Sequence, residues 1–408
     1  MKKSPLAPAQ SAELPAIDGI RLATVAAGIK YQNRDDLMLA SFTAGTTVAG
    51  VLTQSGTASA PVHWCRKQLS RSNPRALIVN SGNANAFTGI TGELHVEQTC
   101  ESVAHYLDCE PGEIFIASTG VIGEFLPIEK ITGSMSTLVS ALESDQWPAA
   151  SRAIMTTDTF AKTATRQAMI GDVSVTLNGF AKGSGMIEPN MATMLAFIFT
   201  DANIQQSVLQ GLLADANHDS FNAITVDSDT STSDTCLMFA TGNAGNIQPS
   251  SLLDKTLDDF RKNLNGLMHD LALQVVRDGE GASKLIEVSV SGAISASAAR
   301  KVAKSIANSP LVKTAIAGED ANWGRVVMAV GKSGEEIDAS KLEVRFGGVC
   351  ITKNGQQIEG YDESLVTAHL KQKEIKLQVD LGVGSGFSTV WTCDLTHEYI
   401  SINADYRS

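Results

Sequence analysis

Short apolar runs and amphipathic segments alternate along the whole chain. Apolar runs of strand length occupy residues 75–80 and 113–119, and each ends at polar or glycine residues. Alternation of apolar and polar positions predicts an edge or half-exposed strand over 172–183 and another strand over 284–293. The uninterrupted apolar run over 194–199 has the length of a buried strand.

Helical periodicity separates these runs. Apolar residues recur at helical spacing over 94–109, 129–144, 204–217, 252–276 and 295–309. The C-terminal part predicts further strands within 341–358 and 373–396. This mixture predicts an α/β or α+β fold, and the strand spacing is too irregular for a repeat architecture. After the glycine-rich approach to Thr193, the loop 242–251 is the best candidate for a domain boundary.

Composition and charge narrow the classes of partner. The chain has 408 residues, of which 43% are hydrophobic, and a net charge of −12. A negative chain repels phosphate backbones, and the densest basic cluster (Arg300, Lys301 and Lys304) is typical of the exposed face of a helix. Residues 1–10 lack the apolar core of a signal peptide, and the longest apolar run, around residues 191–200, is too short to span a bilayer. We therefore expect neither a nucleic-acid partner nor a membrane partner.

The cysteine and histidine patterns predict a cytoplasmic protein without a metal centre. Six cysteines are dispersed without a C-x-x-C pair, namely Cys65, Cys100, Cys109, Cys236, Cys350 and Cys393. This pattern is typical of reduced core thiols. The histidines show no metal-ligand spacing, and the glycine loops at 329–334 and 381–388 do not match phosphate-loop or dinucleotide-binding patterns. We therefore expect no metal or nucleotide cofactor.

The stretch "KGSGMIEPNMATMLAFIFTDA" (182–202) contains the strongest candidate for chemistry. Thr193 follows the small residue Ala192 at the start of the apolar run. A β-branched residue is favoured at a strand start, and spacing alone supports that interpretation. The alternative is that the Ala192–Thr193 bond breaks. The freed α-amine, with a pKa near ~8, would then lie beside the threonine hydroxyl and could serve as its base.

Several longer segments favour the second interpretation. In order along the chain they are "NSGNANAFTG" (80–89), "STGVIG" (118–123), "IMTTDT" (154–159), the 182–202 stretch, "FNAITVDSDTSTSDT" (221–235), "RDGEGASK" (277–284), "AIAGEDANWGR" (315–325) and "INADYRS" (402–408). Together they resemble the ornithine acetyltransferase family, also called bifunctional glutamate N-acetyltransferases. The resemblance covers nearly the full length of the chain.

The resemblance implies a self-cleaving fold of the N-terminal-nucleophile type, with sheets sandwiched by helices. Cleavage between Ala192 and Thr193 would give an N-terminal fragment, 1–192, and a C-terminal fragment, 193–408, with Thr193 as the nucleophile. Thr119 and Gly120 match the family's oxyanion hole. A hydroxyl and a backbone N–H at a strand end can stabilise a tetrahedral intermediate, although alone they would indicate an ordinary turn.

The resemblance places substrate contacts at Thr157, Lys182, Thr193, Glu280, Asn403 and Ser408. The Lys182 ammonium suits a substrate carboxylate, and the Glu280 carboxylate suits a side-chain ammonium. The choice between Thr157 and its neighbour Thr156 stays open, and taken singly each of these residues would be a surface, turn or end residue. Ser408 stands where the family commonly has threonine, so a hydroxyl is retained. Residues 402–406 are expected to form a strand that packs into the second fragment.

The implied reaction moves an acetyl group from N2-acetyl-L-ornithine to L-glutamate through an acetyl-Thr193 ester. It needs no cofactor, and acetyl-coenzyme A stays open as a second donor. The two fragments are expected to remain associated, with two cleaved protomers in a heterotetramer. Two alternatives remain: an N-terminal-nucleophile amidase or aminopeptidase that passes the acyl group to water, and an uncleaved binding protein in which Thr193 is only a strand residue.

Overall fold

Three β-sheets and their covering helices form the part of the chain that the computed structural model describes, residues 2–71, 73–188 and 194–404. The predicted cleavage residues Ala192 and Thr193, and the predicted substrate contact Ser408, lie outside the described residues. None of the helices in the described ranges combines the length and the apolar character needed to cross a lipid bilayer.

The strands are short, and they follow one another in chain order as β1 (Ile20–Val25), β2 (Leu37–Phe42), β3 (Thr47–Leu52), β4 (Ala76–Asn83), β5 (Ile114–Val121), β6 (Lys162–Ile170), β7 (Val173–Lys182), β8 (Leu195–Thr200), β9 (Thr235–Ala240), β10 (Leu285–Ala293), β11 (Glu343–Phe346), β12 (Val349–Lys353), β13 (Gln356–Gln357), β14 (Glu374–Asp380) and β15 (Gly386–Cys393). The helices between them are α1 (Ala60–Gln68), α2 (Gly89–Leu107), α3 (Ile128–Ser140), α4 (Trp147–Ala153), α5 (Gln206–His218), α6 (Asp258–Arg277), α7 (Ala296–Ala307), α8 (Pro310–Ala317), α9 (Trp323–Gly331), α10 (Glu363–Leu370) and α11 (His397–Ala404). Single 3₁₀ turns cover Pro111–Glu113, Phe221–Ala223 and Lys255–Leu257.

The first two sheets stack face to face. The first has the order β1-β2-β4-β5 and the second the order β3-β9-β8-β7-β6. Aromatic rings fill the space between them: Phe42 of the first sheet stacks on Phe239 of the second with 4.4 Å between ring centroids, and Phe115 meets Phe239 edge-on. Helices α1, α2 and α3 pack on the first sheet, and α5 and α6 pack on the second. The prediction of sheets sandwiched by helices is confirmed.

Strand β8 shows why its sequence is apolar without interruption. Phe197 and Phe199 belong to the core between the two sheets, whereas Ala196 and Ile198 belong to the core under α5 and α6. Successive side chains of a strand point to opposite faces, so a strand buried on both faces must be apolar at every position. The predicted buried strand over 194–199 is confirmed as β8.

The third sheet builds a separate core in the C-terminal part. Its order is β13-β12-β11-β14-β10-β15, with β10 parallel to β14 and antiparallel to β15. Helix α7 packs on β10 and β15, and Val288, Val302 and Leu377 are among the buried residues of this core. The helix predicted over 295–309 is confirmed as α7.

Two predictions about strands need correction. The strand predicted over 172–183 is confirmed as β7, and its N-terminal end is partly exposed, but it is not an edge strand, because β6 pairs along its outer side. Residues 402–404, predicted as part of a strand, belong to α11. At the start of that helix the Thr396 hydroxyl accepts a hydrogen bond from the Glu398 N–H (3.3 Å), which favours a helical turn.

The predicted boundary at 242–251 is also wrong. Ala240 before this loop and Phe260 after it belong to the same hydrophobic core. The loop therefore connects two elements of one packed unit. The exposed basic face predicted for α7 is wrong at Lys304, whose side chain is 15% exposed and donates to the carbonyl oxygen of Ile224 (2.7 Å).

Candidate active site

Thr119 and Gly120 lie near the end of β5, where this strand runs parallel to β4. Gly120 has a φ of 137°, and a Cβ atom there would lie 2.2 Å from the carbonyl carbon of Gly82 on the neighbouring strand. Only glycine fits this close approach of two backbones. This close strand pairing places the mostly buried Thr119 near the end of the sheet.

Substitution of Gly120 by alanine is expected to lower the free energy of unfolding by about 1–3 kcal/mol. The new methyl group would clash with the backbone of β4, and the positive φ of residue 120 is unfavourable for alanine. Gly133→Ala is the matched control, since Gly133 lies in α3 and a Cβ atom there would meet no other atom within 4 Å. The control should change stability by less than about 1 kcal/mol, in the stabilising direction. Denaturant unfolding compares the two variants, and equal effects would contradict the steric argument.

Lys182 ends β7 and reaches across to the first sheet. Its Nζ donates a hydrogen bond to the Thr119 Oγ (3.1 Å). Burial lowers the pKa of Lys182, and the nearby carboxylates of Asp158, Asp234 and Glu280 oppose that shift. A half-buried ammonium that lines a cavity is suited to pairing with an anionic ligand group.

Glu280 follows α6 and lines the same cavity as Lys182. Glu280 is 7% exposed, and its Oε2 accepts a hydrogen bond from the Nδ2 of Asn403 on α11 (2.7 Å). Burial raises the pKa of Glu280, while the hydrogen bonds from Asn403 and Thr157 oppose that shift. A Cβ atom on Gly185 would lie 2.4 Å from Glu280 Oε2, so any larger residue there would displace the Glu280 carboxylate.

Thr157, in the loop before β6, lines the same cavity as Lys182 and Glu280. Its Oγ lies 2.6 Å from the Ser184 Oγ, and its hydroxyl also bonds to Glu280. The backbone N–H of Thr156 donates to Asp158 instead (2.9 Å). Both threonines line the cavity, and it is the Thr157 hydroxyl that faces Glu280.

A small cavity of about 160 Å³ joins these side chains. Six residues selected from the sequence line it, namely Thr119, Gly120, Thr157, Lys182, Glu280 and Asn403. These residues lie on strands β5 and β7, in the loop before β6, just after α6, and on α11. Met194, the residue after Thr193 in the sequence, also lines the cavity. The cavity therefore combines a cation, a carboxylate and hydroxyl groups beside the start of β8.

Asp234 also lines the cavity, although it is not among the residues predicted from the sequence. It is 2% exposed, and its Oδ2 has no hydrogen-bond partner among the residues that the structure describes. Burial raises the pKa of Asp234 well above its usual range, with Ser231 and Lys182 opposing. The available signal was a carboxylate placed directly before the apolar strand β9.

A buried charge network supports the cavity from behind. The Lys162 ammonium lies 2.6 Å from Asp158 and 2.6 Å from Asp278, and all three side chains are fully buried. Burial opposes ionisation of Asp158, but Lys162 and Lys182 outweigh it and lower the pKa of Asp158. At Asp278 burial prevails and raises the pKa. Asp158 also accepts the N–H of Gly183 (2.7 Å), so the network fixes the backbone beside Lys182.

Comparison with known proteins identifies relatives over the whole chain. A model of the ArgJ family matches residues 21–408. The arginine biosynthesis bifunctional protein ArgJ of Agrobacterium fabrum is 55% identical over 408 residues, covering 99% of each chain. The protein of the same name from Gluconobacter oxydans is 55% identical over 396 residues, covering 97% of this chain and 93% of that protein. The crystal structure of the ArgJ protein from Bacillus halodurans is 44% identical, with a TM-score of 0.50, and the match covers 52% of this chain and 99% of that chain.

Proposed function

This chain belongs to the ArgJ family, and we propose that it transfers an acetyl group from N2-acetyl-L-ornithine to L-glutamate through an ester on Thr193. The observation that carries this proposal is the convergence of Thr119, Lys182 and Glu280 on one small cavity that Met194 also lines. The relatives are named as bifunctional proteins of arginine biosynthesis, and acetyl transfer between these two amino acids fits that name.

The nucleophile would be made by self-cleavage. The Thr193 Oγ attacks the Ala192 carbonyl carbon, the C–N bond breaks, and the departing amine takes up the hydroxyl proton. Water then hydrolyses the resulting ester, which leaves a carboxylate on Ala192 and a free amine and hydroxyl on Thr193. The products are the fragments 1–192 and 193–408.

The length of the solved relative supports a break near the middle of the chain. The Agrobacterium fabrum protein aligns along 99% of this chain, whereas the crystallised Bacillus halodurans chain is covered to 99% of its length by 52% of this chain. A chain of about half length is what scission near residue 192 leaves. We propose that the two fragments stay associated and that two cleaved protomers form a heterotetramer.

Acetyl transfer would use the Thr193 amine as its base. The amine takes the proton of the Thr193 hydroxyl, the oxygen attacks the acetyl carbonyl of acetyl-ornithine, and the Thr119 hydroxyl and Gly120 N–H stabilise the oxyanion. Collapse of the intermediate expels ornithine, which leaves with the proton. The amine of glutamate then attacks the ester, and Thr193 recovers its hydroxyl as N-acetylglutamate leaves.

Charged cavity residues would orient the substrates. Lys182 would pair with a substrate carboxylate, and Glu280, held by Asn403, would pair with the side-chain ammonium of ornithine. We propose further contacts from Thr157 and from the Ser408 hydroxyl, with acetyl-coenzyme A as an optional second donor. Free cysteines, four of them buried, support a cytoplasmic location.

A labelled transfer assay tests the function. The purified protein is incubated with N2-acetyl-ornithine that carries label in its acetyl group, with and without glutamate. We expect label in N-acetylglutamate and parallel double-reciprocal plots, as for an enzyme with a covalent acetyl intermediate. Release of labelled acetate at a rate that does not depend on glutamate would instead indicate an amidase that uses water.

A further inference from the structure

Residues 186–188 form several hydrogen bonds to the C-terminal half of the chain. The two oxygens of the Asp227 carboxylate accept the N–H groups of Met186 (2.7 Å) and Ile187 (2.8 Å). The Ile187 carbonyl oxygen accepts the N–H of Val226 (2.7 Å). The backbone of this segment is therefore fixed on both its donor and its acceptor sides.

Glu188 adds a side-chain attachment to α7. Its Oε2 accepts a hydrogen bond from the Asn308 amide, and the Thr225 Oγ lies 3.3 Å from the same oxygen. The Lys304 ammonium lies 3.9 Å from the other carboxylate oxygen, and the backbone carbonyl of Glu188 accepts from the Thr230 hydroxyl (3.1 Å). We call Glu188, Thr225, Lys304 and Asn308 the Glu188 clamp.

The clamp is itself internally connected. The Thr225 hydroxyl donates to the Asn308 Oδ1 (2.7 Å), which leaves the Asn308 amide group to donate to Glu188. Lys304 is anchored on the Ile224 carbonyl oxygen (2.7 Å), and its side chain is 15% exposed. Helix α7 belongs to the third sheet's core, so the clamp attaches Glu188 to a rigid element outside the cavity.

The Glu188 clamp lies next to the predicted cleavage site in the sequence. Glu188 directly precedes residues 189–193, which contain the Ala192–Thr193 bond. On the other side, the carbonyl oxygen of Met194 accepts the Thr235 N–H (2.9 Å), and β8 begins at Leu195. Both described ends of this five-residue interval are thus attached to packed structure. Attack of a hydroxyl on the preceding carbonyl needs a narrow range of geometries, and fixed ends reduce the conformations that must be searched.

We propose that Glu188 and Asn308 are positioning residues for self-cleavage, holding the upstream end of the cleavage segment so that the Thr193 hydroxyl can attack the Ala192 carbonyl. This inference rests on the proposed function. Glu188 lies in the N-terminal fragment and Asn308 in the C-terminal fragment, so the clamp also links the two products. In this proposal neither side chain touches the reacting atoms.

Cell-free synthesis followed by a denaturing gel measures the rate at which the full-length chain is converted to two fragments. Loss of a hydrogen bond to a charged group is expected to slow cleavage about tenfold to hundredfold in Asn308→Ala and in Glu188→Ala. Glu188→Gln keeps a carbonyl oxygen for the Asn308 amide and should stay within about threefold of the unmodified chain. The double alanine variant should be no slower than the slower single variant, because both substitutions remove the same contact.

Val302→Ala is the control for general destabilisation. Val302 is a fully buried core residue of α7, the helix that also carries Lys304. Its truncation to alanine should lower stability without removing a contact of the clamp. Its cleavage rate should stay near that of the unmodified chain at a temperature where all variants are folded. Slowing by Val302→Ala equal to that of Asn308→Ala, or unchanged cleavage of Asn308→Ala and Glu188→Ala, would overturn the clamp proposal. Thr193→Ala in the same assay keeps the two proposals apart: scission of that chain would overturn the proposed nucleophile, whereas an intact Thr193→Ala chain beside normally cleaved clamp variants would overturn the clamp alone.

Discussion

Thr193→Ala is expected to leave the chain as a single 43.1 kDa species and to lower acetyl transfer by about 10⁴-fold or more. Alanine has no hydroxyl group, so the variant can neither attack the Ala192 carbonyl nor carry the acetyl group. A denaturing gel reports cleavage, and the labelled transfer assay reports activity on the same preparation.

Thr193→Ser is the matched control for that experiment. Serine retains the hydroxyl and, after cleavage, the adjacent amine, so two fragments and measurable transfer are expected. If the unmodified protein is active as one uncleaved chain, or if Thr193→Ala still transfers acetyl groups, Thr193 is an ordinary strand residue and the account of its chemistry is wrong.

Lys162→Met is expected to have the largest effect on stability, lowering the free energy of unfolding by about 3–5 kcal/mol. Methionine fills a similar volume but leaves the buried carboxylates of Asp158 and Asp278 without the cation that lies 2.6 Å from each. Chemical denaturation at pH 7 measures the loss. Lys301→Ala is the control, because the Lys301 side chain is 64% exposed and its pair with Glu335 should contribute less than about 1 kcal/mol.

The pH dependence of Lys162→Met gives an independent check. Without the ammonium, burial and mutual repulsion should hold the pKa values of Asp158 and Asp278 above the unfolded value near ~3.9. The folded variant then binds more protons than the unfolded chain, so its stability falls as the pH rises. The difference from the unmodified protein should therefore be smaller at about pH 5 than at about pH 8. A difference that grows as the pH is lowered would contradict the assignment of Lys162 as the partner of both carboxyls.

Local pattern predicted the elements that are buried on both faces. The runs at 75–80 and 113–119 are confirmed within β4 and β5, and the run at 194–199 as β8. The predicted edge position is wrong at β7, because the alternation indicates a partly exposed face but carries no information about β6, which pairs along the outer side of β7. The strand prediction failed at 402–404 because five residues with mixed propensity do not determine whether the end of the chain forms a helix or a strand.

Family resemblance indicated six residues that line one cavity, and their roles stay predictions. Thr119, Lys182 and Glu280 are far apart in the sequence, and the structure brings them to one cavity. Asp234 and Lys162 were missed for a physical reason. Lysine and aspartate are usually surface residues, so the sequence gives no sign that they are buried. Their burial depends on partners that are distant in sequence, as the ion pair of Lys162 with Asp278 shows.

Mass spectrometry of the purified protein, before and after addition of N2-acetyl-ornithine, tests the central claim most directly: intact masses report the cleavage point, and fragmentation locates the acetyl group. The account predicts two masses that correspond to residues 1–192 and 193–408, and a gain of one acetyl group on Thr193 of the second fragment alone. A single mass for the whole active chain, or an acetyl group carried by any other residue, would contradict it.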